Sequence, residues 1–180
     1  MNLTLIGYRA TGKTTLAELL AERLGWEWID ADVEIERRAG KTIARIFAED
    51  GEPAFRDLEA LVIVDLCARQ RLVLAAGGGA PLRPESRRAM RDNGQVVWLV
   101  AGPETILARM TGDATTADRR PNLTDRGPLD EIIGLLEARE SIYRESAHLT
   151  VDTEGKTPEQ LTTEILDRLD PGSIGTETAT

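Results

Sequence analysis

One cysteine and one histidine are the only thiol and imidazole that these 180 residues contain. Cys67 therefore has no partner for an internal disulfide, and its place in the apolar run 61–67 predicts a buried, inert thiol. His148 has no second histidine or cysteine near it in sequence, so a zinc-type site lacks its ligands, and a structural or solvent-facing role is expected. Aromatic residues make up only 4% of the chain, which leaves the core to Leu, Ile, Val and Ala. Basic residues are in deficit too: 22 Lys and Arg against 31 Asp and Glu give a formal charge of -9. Such a surface repels polyanions on average, which argues against nucleic acid as a partner. No apolar run is long enough to cross a bilayer, and the start Met1-Asn2-Leu3-Thr4 carries no basic or cleavable leader. A cytoplasmic protein without a membrane partner is expected, with monomer as the default state.

What is present is an alternation of short apolar strands and amphipathic helices, the pattern of a parallel sheet covered on both faces. Strands are predicted at 3–7, 26–29, 72–76, 96–100 and 149–152, and helices at 14–24, 33–39, 42–48, 53–69, 84–93, 103–110, 129–144 and 158–169. Gly25 and Gly40 stand where left-handed helix caps belong, and Thr157-Pro158-Glu159-Gln160 reads as a capping box with Pro at the first helical position. The break between the third and fourth helices is expected at Gly51-Glu52-Pro53. Residues 111–128 are rich in Thr, Asp, Arg, Gly and Pro and lack periodicity, which predicts a long mobile lid over an active site. One domain over 1–170 follows, with a polar, flexible tail at 171–180.

Gly7-Tyr8-Arg9-Ala10-Thr11-Gly12-Lys13-Thr14 satisfies the P-loop pattern and lies between a strand and a helix, as phosphate binding requires. The backbone N–H groups of Ala10, Thr11, Gly12, Lys13, Thr14 and Thr15 are placed to point at phosphate oxygens, aided by the positive end of the helix. Lys13 would bridge the β- and γ-phosphates of ATP, and the Thr14 hydroxyl would ligate Mg²⁺. No Asn-Lys-x-Asp guanine-reading motif occurs, which argues against a GTPase switch.

Asp30 and Asp32 follow the second strand next to this loop. If strand geometry continues through them, both point to one side of the sheet edge, one supporting the Mg²⁺ shell and the other taking a proton from an acceptor hydroxyl. The plain alternative is that they decorate a turn and cap the next helix. Gly77-Gly78-Gly79 ends the third strand on the same crevice, where missing side chains would leave room for a substrate; a simple turn is the alternative. Arg56, Arg120 and Arg139, on the long helix, the lid and the helix after the lid, together suggest anion handling, because the guanidinium fork pairs with carboxylate or phosphate.

These residues, with Gly51-Glu52, Phe55, Glu59, Arg120-Pro121, Tyr143, Val151-Asp152-Thr153 and Pro158, resemble the shikimate kinases, P-loop kinases of the nucleoside-monophosphate-kinase-like group, to about residue 169. The resemblance implies a three-layer α/β/α P-loop fold with a five-stranded parallel sheet of order 2-3-1-4-5. It also implies transfer of the ATP γ-phosphoryl group to the 3-hydroxyl of shikimate, a step in chorismate and aromatic amino-acid synthesis. On that resemblance Asp32 is the base and holds the acceptor hydroxyl, Arg56 and Arg139 bind the shikimate carboxylate, and Gly78 contacts the ring hydroxyls through its backbone. Asp30 assists Mg²⁺, Arg120 closes onto the transferring phosphate, and Lys156 lies near the adenine. The chain departs from the family pattern at Ala10, where glycine is frequent, at Met110, where an adenine-side Arg is common, and in a longer lid reading Arg120-Pro121-Asn122-Leu123. Arg109 and Arg119 are the candidates to replace the missing arginine.

Two rivals stand beside this reading. A kinase of another hydroxy acid such as gluconate would share the P-loop without needing Arg56 and Arg139 at one carboxylate. A nucleotide-binding regulator without transfer chemistry would have no use for Lys13, Thr14, Asp32 and Arg120 together.

Overall fold

The computed structural model describes residues 1–112 and 127–169. The body of the expected lid, with Arg119 and Arg120, and the expected tail lie outside the described residues. Five strands, β1 (Asn2–Ile6), β2 (Glu27–Asp30), β3 (Leu72–Ala75), β4 (Gly94–Val100) and β5 (Leu149–Asp152), all pair in parallel in the order β2-β3-β1-β4-β5. This is the architecture expected from the sequence. The helices between them are α1 (Lys13–Leu24), α2 (Ala31–Ala39), α3 (Ile43–Glu49), α4 (Gly51–Cys67), α5 (Pro84–Asp92), α6 (Pro103–Gly112), α7 (Pro128–Ser146) and α8 (Pro158–Arg168), with a short 3₁₀ turn at Ala80–Leu82.

Strand periodicity of two sorts the apolar side chains into two cores. In β3, Leu72 and Leu74 face one way, into a core shared with Ile35, Phe55, Ile63, Leu66 and Tyr143. Val73 and Ala75 face the other, with Leu16, Leu20, Leu161 and Ile165 of α1 and α8. In β4, Val96 and Trp98 join the first core and Val97 and Leu99 the second. The central strands β1, β3 and β4 are therefore covered on both faces and read as apolar runs, whereas the edge strands β2 and β5 carry exposed polar residues.

Helix ends follow the sequence signals where side chains set them. Gly25, at φ 65°, caps α1 through its N–H to the carbonyls of Ala21 and Glu22, and Thr157 and Gln160 form the reciprocal capping box that opens α8. Two boundaries differ. Strand geometry does not run through Asp32: β2 stops at Asp30, whose carboxylate accepts from the N–H groups of Asp32 and Val33 and starts α2 at Ala31. The break before α4 falls at Asp50, with Gly51 at φ 84°, and Pro53 sits inside the first turn of α4, where an N–H lacks an intrahelical partner anyway.

The two residues set aside as structural are so placed. Cys67 is buried at the end of α4, and burial pushes its thiol up to about 12. His148 Nδ1 accepts from the Val96 N–H at 3.0 Å, tying the approach to β5 onto β4.

Candidate active site

β1 lies at the centre of the sheet with β3 on one side and β4 on the other, and the crevice at the strands' C-terminal ends opens where the P-loop leaves β1. Gly7 is forced there by proximity: a Cβ on it would lie 2.5 Å from the Leu99 carbonyl oxygen of β4, and its φ is 138°. The loop is braced from within, since Thr11 Oγ1 donates to Tyr8 O at 2.8 Å and Lys13 Nζ donates to Tyr8 O at 2.7 Å and Gly7 O at 3.1 Å. Gly12, the residue before α1, offers no side-chain cap, and the first turn of α1 holds no acid. The N-terminal amides of α1 are thus left to an anion, with Thr14 and Thr15 exposed beside them. Ala10 takes φ 60°, a left-handed conformation that explains why glycine would be the easier residue at this position.

Thr14 Oγ1 donates to Asp30 Oδ2 at 2.7 Å, which brings the two expected metal-shell residues into contact. The other carboxylate oxygen, Oδ1, accepts from the Asp32 N–H at 2.9 Å. Asp30 therefore caps a helix and stands beside the P-loop. Asp32, half-buried, lies on the first turn of α2 at the same edge. A hydroxyl and a carboxylate are hard oxygen donors, and no group of three or more His, Cys, Asp or Glu that could cage a metal occurs among the described residues. That donor set suits Mg²⁺ held largely by phosphates and water.

Beside the P-loop, at the end of β3, the glycine run receives two arginines from different helices. Arg56 of α4 and Arg139 of α7 are both buried, at 8% and 9% exposure. Gly79 lacks a side chain for a reason other than the one expected: a Cβ there would overlap the Arg56 guanidinium, so the vacant space belongs to Arg56 and not to substrate. Gly78 O accepts from the Tyr143 hydroxyl at 2.6 Å and from Arg139 Nη1 at 3.4 Å. Gly77 O accepts from the Ala80 N–H, opening the 3₁₀ turn. Arg56 is held by two carboxylates, Glu59 Oε2 at 2.7 Å from Nη1 and Glu52 Oε1 at 3.0 Å from Nη2. Burial lowers its pKa, and Glu59 and Glu52 outweigh that effect, leaving the pKa raised and the charge secure.

On the side of β5, Arg109 reaches back from α6 to the Ala10 carbonyl at 3.4 Å and to Thr153 Oγ1 at 3.1 Å. It stands between the P-loop and the end of β5. Met110 instead packs against an apolar cluster of Tyr8, Ala101, Ile106 and Ile132. Lys156 is exposed and pairs with Glu164 of α8 at 2.6 Å. Tyr143, Glu52 and Thr153 were not among the candidate site residues. For the first two the signal was spacing: Tyr143 is one turn from Arg139, and Glu52 one turn from Arg56. Thr153 joins by a tertiary contact that no local pattern encodes.

A family model described as shikimate kinase matches residues 9–170. The chain belongs to the shikimate kinase family. It is 45% identical over 174 residues to the shikimate kinase of Rhodopirellula baltica, covering 97% of this chain and 92% of that one. The shikimate kinase of Acinetobacter baumannii, solved in complex with shikimate, superposes with a TM-score of 0.86 at 38% identity, covering 94% of this chain and 95% of that one. A gluconokinase from Sinorhizobium meliloti shares the fold alone, at 15% identity and a TM-score of 0.60, over 92% of this chain and 89% of that one.

Proposed function

We propose that this member of the shikimate kinase family transfers the γ-phosphoryl group of ATP to the 3-hydroxyl of shikimate, giving shikimate 3-phosphate and ADP. The observation that carries the reading is the meeting of Arg56 and Arg139 at Gly78 and Gly79, next to the P-loop. Two buried guanidiniums at one backbone turn form a receptor for a small carboxylate, and a phosphate cradle faces it. A nucleotide-binding regulator has no need of the first.

In this mechanism the P-loop amides and Lys13 hold the ATP phosphates, Lys13 trading its loop carbonyls for phosphate oxygens. Thr14 and Asp30 would hold Mg²⁺, which neutralises charge on the phosphates when bound. Arg56 and Arg139 bind the acceptor carboxylate and Gly78 meets the ring hydroxyls. Asp32, whose backbone is fixed by Asp30, accepts the proton of the 3-hydroxyl as it attacks. Arg120 completes charge stabilisation from the lid, and Arg109 and Lys156 serve the nucleotide end. A monomer acting in the cytoplasm belongs to the same proposal; it accords with a reduced, buried Cys67 and with the lack, among the described residues, of a helix long and apolar enough to cross a membrane.

ADP release from ATP and Mg²⁺ in the presence of shikimate, gluconate or nucleoside monophosphates tests the reading. Stimulation by shikimate alone supports it. Stimulation by gluconate alone would move the acceptor to the rival hydroxy acid, and nucleotide binding without stimulation by any of them would leave the regulator.

A further inference from the structure

Arg56 has two carboxylate partners of unlike kind. Glu59 lies on the inner side, its side chain 1% exposed, and takes Nη1. Glu52, one turn earlier on α4, has a side chain 50% exposed. Its Oε1 accepts from Nε at 3.2 Å and from Nη2 at 3.0 Å, so it occupies one of the edges of the guanidinium that a carboxylate ligand can use. The guanidinium itself fills the space that a Gly79 side chain would take.

We propose that Glu52 is the resting occupant of the acceptor's carboxylate site, an internal anion that holds the outer edge of Arg56 and yields it when substrate arrives. The proposal rests on the reading of Arg56 as the carboxylate receptor. Charge supports it. Glu52 and Glu59 balance Arg56 and Arg139, so an incoming carboxylate meets a neutral group of four with a negative charge on its outer side. Once Glu52 swings into water, one positive charge is left in excess, which a monocarboxylate neutralises. Release is undemanding because Glu52 is half exposed and regains hydration, whereas Glu59 is enclosed and stays. Glu52 thus lowers acceptor affinity while keeping Arg56 ordered in the absence of substrate.

Steady-state kinetics of Glu52→Gln and Glu52→Ala, with Arg56→Met as reference, test this. The expected result is a fall of roughly three- to tenfold in the KM for shikimate in both Glu52 variants, the size of one partly exposed ion pair removed from competition, while the KM for ATP is unmoved. A shikimate KM that rises or stays the same in both, with Arg56→Met raising it by about tenfold or more, overturns the proposal and makes Glu52 a support of Arg56 or a bystander. If Arg56→Met leaves that KM unchanged, the carboxylate reading of Arg56 has failed and the role of Glu52 fails with it. Circular dichroism and melting of each variant separate these outcomes from loss of fold.

Discussion

Thr14 Oγ1 and Asp30 Oδ2 are 2.7 Å apart, and through this bond the first turn of α1 is tied to the end of β2. The same carboxylate holds the Asp32 N–H, so one side chain sets the proposed metal ligand and the proposed base in a common frame. Asp30→Asn keeps an oxygen for the cap but removes the charge. It should raise the Mg²⁺ concentration for half-maximal turnover by about tenfold with little change in melting temperature. Asp30→Ala should add a stability loss of about 1 kcal/mol from the lost cap. Metal titration of turnover and thermal melting check the two effects separately.

Asp32→Asn retains shape and removes the proton acceptor. Turnover should fall by about 10²- to 10⁴-fold while ATP binding is kept, because the P-loop amides and Lys13 are untouched. Calorimetric ATP binding beside steady-state rates is the measurement. Wild-type turnover by the variant would remove Asp32 from the proton step.

Ala10 pays for a left-handed backbone at φ 60°. Ala10→Gly relieves a strain of about 1–2 kcal/mol in the folded loop and gives back roughly 0.4–1 kcal/mol through the freer unfolded chain. The net expectation is a gain of up to about 1.6 kcal/mol in urea denaturation, with no loss of ATP affinity.

The alternation of strands and helices was legible because each strand is followed by a helix with its own stop signal, and because an apolar stretch such as 72–76 is what a strand buried on both faces looks like, whereas the strand order 2-3-1-4-5 came only with the family resemblance. The P-loop was legible because its geometry is local: eight consecutive residues supply the whole cradle. The acceptor site was legible only in part. Arg56 and Arg139 could be picked out as anion handlers, but their meeting at Gly78 and Gly79 depends on how α4 and α7 pack over β3, and no local pattern states that Gly79 makes room for Arg56 and not for substrate. Whether strand geometry ran on through Asp32 was left open by the sequence; the capping carboxylate of Asp30, two residues before, ends the strand first.

His148 gives the fold an acid-sensitive point. Its pKa is lowered from 6.5, mainly by burial of the ring and further by nearby Arg91, and its Nδ1 must stay unprotonated to accept from the Val96 N–H. Below pH 6.5 the unfolded chain therefore binds a proton that the folded chain resists, so this part of the stability is present above pH 6.5 and is lost as pH falls through the folded pKa. His148→Asn keeps an oxygen acceptor that does not titrate, and it should flatten the dependence of urea midpoints on pH between about 5 and 7. An unchanged slope would assign the acid sensitivity in that range to other groups.

Gly79 gives the sharpest separation between the two halves of the crevice. A methyl group there must displace the Arg56 guanidinium, which is also fixed by Glu59 on its inner side. The P-loop borders Gly78 and not Gly79: a Cβ on Gly78 would lie 3.3 Å from Gly7 O, whereas the nearest atoms to one on Gly79 all belong to Arg56, and Lys13 binds its own loop. Gly79→Ala should therefore raise the shikimate KM by about tenfold or more, the loss of one charge-assisted contact, and leave ATP affinity within about twofold. Because Glu59 would lose its buried partner, a stability decrease of roughly 1–3 kcal/mol should accompany the change. A variant that loses stability yet keeps the wild-type shikimate KM would show Arg56 to be a structural ion pair, and the carboxylate would then belong to Arg139 without it.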